Sequence, residues 1–338
     1  MRLLVTGGSG FLGGFVLREA VRRGHEVTAL ARSPAAAGKV RALGARPVSG
    51  DLAAPGPAAA AALAEALAAG EVLVSLASLG FGHAPAIVAA AERAHVRRAV
   101  FVSTTAVTTT LPAATKRVRL AAERQIAASA LDWTILRPTM IYGAAGDRNL
   151  SRLLPLLRRV PVLPVPGGHH LQQPVHVADV AHAVLAAAEL PGAEPARPAP
   201  TGTGWPGAGQ APSMLADRVL ADRVLARPGL ARLTGATYDL AGPAPLTFGE
   251  LLRTAAQAVG SRTRFIPVPL APVLAAARGY ELVSRTPRIK AEQVQRLAED
   301  KVFAIQAAAR DLGFAPRSFA DGIRSEARAL GLAGPAAR

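Results

Sequence analysis

The chain has no cysteine in 338 residues, which excludes disulfides, thiolate metal sites and a catalytic thiol. Aromatic residues make up only 4% of it, and three of them are tyrosines: Tyr142, Tyr238 and Tyr280. Just four of the 39 basic residues are lysines. No uninterrupted apolar run reaches the ~18–20 residues of a membrane span. The N-terminus enters strand and glycine loop directly, so no signal peptide is expected and the expected location is cytoplasmic. Acidic residues are also short, 23 against 39 basic, for a formal charge of +16. A charge of that size suggests a polyanionic partner, but the arginines are scattered. Pairs such as Arg22/Arg23, Arg97/Arg98 and Arg158/Arg159 flank apolar helical stretches, and Arg rises together with Ala, Gly and Pro as in a general compositional bias. With no accompanying motif, no nucleic-acid partner is expected; peripheral membrane contact stays open.

What the sequence does have is alternation. Half of its residues are hydrophobic, enough for a large core. Short β-branched runs near Arg2–Thr6, Glu26–Ala31, Ala45–Ser49, Val72–Leu76, Ala99–Ser103 and Trp133–Pro138 read as strands. Amphipathic stretches near Phe11–Arg23, Ala35–Leu43, Pro57–Leu67, Pro85–Ala94 and Lys116–Ser129 separate them and read as crossover helices. Pro174–Glu189 reads as a short strand or loop running into a helix, returning to the edge of the sheet. Pro191–Gly235, rich in Pro and Gly and carrying a tandem LADRV, reads as a flexible insertion. Structure resumes at Ala236–Leu240, and Thr247 with Glu250 has capping-box spacing for a following helix. The expected fold is therefore α/β: a doubly wound parallel sheet of Rossmann type (1–190), an insertion (191–235), and a smaller, mainly helical C-terminal domain (236–338).

The segment Val5-Thr6-Gly7-Gly8-Ser9-Gly10-Phe11-Leu12-Gly13 follows the first strand and opens the first helix. Gly7 permits a tight turn, Gly10 lets backbone approach a pyrophosphate, and Gly13 allows close packing of helix on strand, while the helix N-terminus faces the anion. Ser9, Phe11, Leu12 and, beyond the fourth strand, Ala77 join this candidate dinucleotide site. The second strand ends in Ala31-Arg32-Ser33, without the carboxylate that reads the ribose hydroxyls of NAD. Arg32 would attract a 2′-phosphate, which favours NADP(H) over NAD(H); stacking on adenine or pointing to solvent are its other readings. Asp51 and Leu52 fall beside the adenine position, although Asp51 equally suits a helix cap.

The glycine spacing, Gly50-Asp51-Leu52, Phe101–Thr105, Leu136–Gly143, Gln173–Ala181 and Tyr238–Pro243 together resemble the short-chain dehydrogenase/reductase superfamily, in its extended or atypical branch. The likeness is to bacterial relatives of the nucleotide-binding accessory subunit of respiratory complex I and, more loosely, to nucleoside-diphosphate-sugar epimerases. The resemblance implies an active-site Tyr four residues before a Lys. The matching lysine is Lys116, but Pro112 occupies the tyrosine's place. It further implies that Lys116 holds the nicotinamide ribose, that Thr105 is the polarising hydroxyl, and that Pro138 borders the nicotinamide. For Lys116 a solvated charge, and for Thr105 a structural hydrogen bond, remain the alternatives.

Tyr142, just after the sixth strand, and His83, in the Gly80–His83 loop, are substitute proton donors by position. Packing for Tyr142 and solvent exposure for His83 are the competing readings. His169, His170, His176 and His182 show no spacing of a closed metal site, and no metal is expected; His176 and Asp179 read as loop-holding residues. Two functions follow. One is an NADP(H)-dependent oxidoreductase or epimerase-like enzyme with a nonstandard acid, acting on an unnamed small molecule. The other is a non-catalytic cofactor-binding redox sensor or respiratory/quinone-pathway assembly factor.

Overall fold

The computed structural model describes residues 1–53, 57–68, 70–96, 98–111, 113–147, 149–190, 235–284, 291, 295 and 299–333. Strands β1 (Arg2–Thr6), β2 (Glu26–Ala31), β3 (Arg46–Ser49), β4 (Val72–Ser75), β5 (Arg98–Val102) and β6 (Trp133–Pro138) alternate with helices. These are α1 (Phe11–Arg22), α2 (Pro34–Ala42), α3 (Pro57–Ala68), α4 (Ala84–Arg93) and α5 (Ala114–Ala127). Then come β7 (Ile141–Tyr142), α6 (Leu150–Leu157), β8 (Val162–Pro166), β9 (Leu171–Gln172), β10 (Val175–His176) and α7 (Val177–Glu189). After residue 234 follow β11 (Ala236–Leu240), β12 (Leu246–Thr247), α8 (Phe248–Ala258), β13 (Arg264–Val268), α9 (Leu270–Val283), α10 (Gln306–Leu312) and α11 (Phe319–Ala329).

One seven-stranded sheet runs β11-β6-β5-β4-β1-β2-β3, and each adjacent pair in it is parallel. The order reverses between β1 and β4, which opens a crevice at their carboxyl ends. Strands β4 and β5 are buried along their whole length, as expected of central parallel strands covered on both faces. On one face α1 and α7 pack with Leu3, Val5, Val74 and Val100; on the other, α3, α4 and α5 pack with Leu4, Leu73, Phe101 and Ile135.

Two sequence expectations are corrected here. The 174–189 segment does not return to the sheet's edge. Its strand β10 pairs with β7 outside the main sheet, and α7 lies across a face. Val177, Val180, Val184 and Leu185 are fully buried there, at about 1.5–3 kcal/mol each, which an edge position would forgo. The edge belongs instead to β11, the first element of the stretch assigned to a separate small domain. Tyr238, Leu240, Ala308, Leu312 and Phe314 likewise belong to the core of the large sheet, so the chain after residue 235 serves both units.

The smaller core gathers Tyr142, Leu150, Leu154 and Leu157 with Leu251, Ala255, Phe319 and Ile323. Helix α8 opens with the full capping box expected for Thr247 and Glu250. The expected insertion, apart from Gly235, and Pro112 lie outside the described residues.

Candidate functional site

The cradle forms where β1 ends. Gly7 has φ +73°, and a Cβ there would lie 2.9 Å from the Ala77 backbone nitrogen, so the turn and the approach of β4's end both require glycine. A Cβ on Gly13 would lie 2.3 Å from the Gly7 carbonyl and 2.6 Å from that of Gly8, so α1 sits against the loop more closely than any side chain allows. Gly10 donates its N–H to the Gly7 carbonyl at 3.0 Å and caps α1 with no side-chain bond and no acid in the first turn. The first N–H groups of α1 thus have no acceptor from a capping side chain, the arrangement that suits an anion. These residues fit a dinucleotide pyrophosphate: the space that Cβ atoms would fill is kept open. Ser9 and Phe11 lie on the rim, and Leu12 packs into the sheet core.

Around the cradle, Arg32 is exposed just past β2, and Ser33 beside it caps α2 by accepting from Ala36 N at 3.2 Å. Asp51, past β3, accepts from Ala53 N at 3.0 Å in a local turn, not as the cap of α3, which begins at Pro57, and it remains exposed. Leu52 packs on the opposite core.

At the carboxyl ends of β5 and β6 lies a cleft of about 520 Å³. Its wall is a run of hydroxyls from Thr104, Thr105, Thr108, Thr109, Thr110 and Thr139, opposed by Met140 and Phe303 and by the segment Glu299–Lys301. Thr105 is buried and donates to the Pro138 carbonyl at a long 3.4 Å, so two of the expected site residues meet directly. Lys116 stands in the first turn of α5 and donates from Nζ to the Thr109 carbonyl. His83 stands at the N-terminus of α4 without a capping side-chain bond, half-buried, its ring 6.1 Å from that of Phe81.

Tyr142 is not in the cleft. It is 1% exposed, donates to the Phe319 carbonyl at 3.5 Å, and packs on His176 and Phe319. Burial first, and the Asp179 charge second, push its hydroxyl above the ordinary phenol range, so the expectation of a proton donor there is corrected to a packing role. Tyr238, raised by burial and by Asp311, bonds that carboxylate at 3.2 Å, and none of the three tyrosines lines the cleft. His176 caps α7 by accepting from Ala178 N at 3.2 Å; burial, and then Arg317, lower it to about 4, which keeps it a neutral acceptor. Asp179 holds Arg317 in an ion pair at 2.8 Å, tying α7 to the C-terminal segment. Among the described residues no group of three or more His, Asp or Glu could hold a metal ion.

The residues that sequence reasoning missed form a strap, 299–303. Asp300 accepts from Leu171 N at 2.8 Å and from His170, Lys301 N donates to the Leu171 carbonyl at 2.8 Å, and Phe303 N donates to Gln173 Oε1 at 2.9 Å. On the other side Glu299 accepts from Thr109 Oγ1 at 2.5 Å, Thr110 Oγ1 at 2.6 Å and Thr110 N at 2.8 Å. Burial would raise this carboxyl, but those three donors outweigh it and hold it below its ordinary value. The dense threonine run 104–110 was the one visible signal of this wall.

A family model described as NAD(P)H-binding matches residues 7–191, from the cradle through α7. The chain belongs to the NAD(P)H-binding family. Among this NAD(P)H-binding protein's relatives is the 4-hydroxy-2-methyl-3-oxo-4-farnesyl-3,4-dihydroquinoline-1-oxide ketoreductase of Stigmatella aurantiaca, 34% identical over 227 residues. That match spans 57% of this chain and 66% of the ketoreductase, so it leaves about a third of the relative unaligned. Among solved structures, an NADPH-dependent quinone oxidoreductase of Escherichia coli complexed with NADPH superposes with a TM-score of 0.65 at 19% identity, over 95% of this chain and 98% of that one. The NAD complex of UDP-glucose 4-epimerase from Thermus thermophilus gives 0.64 at 18%, over 98% and 99%. At those identities the structures establish the Rossmann fold. Among the described residues no helix is long and apolar enough to cross a membrane.

Proposed function

We propose that this NAD(P)H-binding protein is an NADP(H)-dependent oxidoreductase that reduces a conjugated, quinone-like carbonyl compound in the threonine-lined cleft. The observation that carries this reading is an open dinucleotide cradle on the same sheet edge as a cleft of about 520 Å³ that no tyrosine lines. Bound NADPH would supply a hydride to the conjugate position of the acceptor, and the displaced electron pair would come to rest on the carbonyl oxygen. The N-terminus of α1 holds the pyrophosphate, Arg32 pairs with the 2′-phosphate, and Lys116 keeps two of its three ammonium protons for the ribose hydroxyls. The Thr104 and Thr105 hydroxyls orient the carbonyl oxygen, the 3.4 Å bond from Thr105 to Pro138 being weak enough to exchange.

The hydroxyl-rich wall, which no tyrosine lines, selects the acceptor. Hydride addition to a saturated ketone leaves an alkoxide, as basic as hydroxide at pKa ~16, which needs a strong local acid. A conjugated acceptor leaves a phenolate-like oxygen of pKa about 10, which water protonates readily. The named activity of the quinone oxidoreductase that shares this fold is of the same kind, and that of the ketoreductase relative supports reduction of a carbonyl compound in general. NADPH oxidation followed by its absorbance against a panel checks it. Quinones and enones are expected to react at least about tenfold faster than saturated ketones, a barrier difference of about 1.4 kcal/mol. A preference for saturated ketones or nucleotide sugars would overturn the reading.

Cofactor choice has its own test. Arg32→Ala is expected to weaken NADPH binding by about tenfold, one charge-assisted contact, and NADH binding hardly at all. Equal losses in a titration would show that Arg32 does not read the 2′-phosphate.

A further inference from the structure

Resting on the reading that Lys116 holds the ribose next to the nicotinamide, we propose that Glu299 is a positioning residue that fixes Lys116 through Thr109 and so ties the strap over the substrate cleft to the cofactor's nicotinamide half. Thr109 carries both bonds of the relay. Its backbone carbonyl receives the Lys116 ammonium, and its hydroxyl donates to Glu299 Oε2 at 2.5 Å. Thr110 gives the other carboxylate oxygen two more donors, at 2.6 and 2.8 Å. Both oxygens of Glu299 are therefore occupied, and a two-residue turn is held from outside its own element by a residue 190 positions away.

A lysine side chain has four rotatable carbons and loses up to about 2 kcal/mol of rotamer entropy when fixed, so an ammonium poised for a ribose needs an anchor that does not itself move. The Thr109 carbonyl is that anchor, and Glu299 immobilises it. The far side of the strap is pinned to Leu171 and Gln173, while Glu299, Asp300, Lys301 and Phe303 all line the cleft. A substrate that shifts the strap is thereby felt at Lys116, which couples acceptor entry to the grip on the cofactor.

The test measures binding, not turnover, on the full chain. Glu299→Ala, Glu299→Gln, Lys116→Ala and the double alanine variant are titrated by calorimetry with NADPH and with adenosine 2′,5′-bisphosphate, which lacks the nicotinamide half; thermal melts confirm folding. Glu299→Ala is expected to weaken NADPH about tenfold, and Glu299→Gln less, because its amide oxygen still accepts one threonine proton. Bisphosphate affinity should be unchanged throughout. The double variant should bind NADPH no more weakly than Lys116→Ala alone, since the two residues act as one unit. A merely structural Glu299 would weaken both ligands alike, or add its loss to that of Lys116; either result overturns the proposal, as does a Lys116→Ala variant with wild-type NADPH affinity. Tight NADPH binding without turnover of any carbonyl overturns the reductase reading alone and leaves this cycle decisive.

Discussion

Replacing Gly13 with alanine is expected to lower NADPH affinity by about a hundredfold or more, roughly 3 kcal/mol, while the neighbouring Gly14→Ala leaves it intact. The Gly13 Cβ would lie 2.3 Å and 2.6 Å from two backbone carbonyl oxygens, contacts that no side-chain rotation relieves. Helix α1 has to move off the loop, and its N–H groups move with it, away from the pyrophosphate. Overpacking of this kind also costs about 1–3 kcal/mol of stability. The Gly14 Cβ, one residue on in the same helix, meets only Leu43 Cδ1 at 3.9 Å. Alanine there removes a helical glycine's entropy and should raise the melting temperature slightly. Calorimetric titration and melts of the pair separate loss of the cradle from a general effect of substitution in α1. Equal affinities for the two variants would contradict the role of close packing at Gly13.

The second large effect is on stability and its pH dependence. Glu326, on α11, is 0% exposed, and neither of its oxygens makes a hydrogen bond of normal geometry. Asp147, itself buried, spends one oxygen on the N–H groups of Asn149 and Ser151 at 2.9 and 3.0 Å. Burial, and then the Asp147 charge, raise Glu326 from 4.5 to about 8. A carboxyl raised in the folded state binds its proton more tightly there than in the unfolded chain, so stability falls as pH rises from 4.5 to about 8 and levels off above. Glu326→Gln removes the charge and keeps the shape. It is expected to match the wild type below pH 4.5 and to exceed it above pH 8, by a few kcal/mol at about 1.4 kcal/mol for each tenfold change in proton affinity. In a melting temperature that is about 5 °C or more. Parallel stability curves from pH 4 to 9 would show that Glu326 is charged and satisfied in the fold.

The cradle and the first six strands were legible because their signals are local. A strand, a glycine turn and a helix start sit within thirteen residues, and each crossover helix lies between the strands it joins. The edge strand β11 was not, because its partner β6 lies about a hundred positions earlier in sequence and nothing in the short run Ala236–Leu240 says which sheet it joins. Tyr142 was placed correctly in the chain but not in space. A Cβ on Gly322 would lie 2.1 Å from its hydroxyl, so the C-terminal helix supplies the hole that draws the ring inward. Glu299 was silent for the same reason: its partners Thr109 and Thr110 lie 190 and 189 positions away, and a lone acid carries no periodic or motif signal.

The most direct test of a cradle that feeds hydride into the threonine-lined cleft is a single turnover. Protein holding one equivalent of NADPH is mixed with excess simple quinone in a stopped-flow instrument, with C4-deuterated NADPH in parallel. Expected is the loss of one equivalent of NADPH absorbance per chain, slower with the deuterated cofactor. Unchanged absorbance over minutes, with NADPH demonstrably bound, would contradict it and leave the protein a cofactor binder without this chemistry.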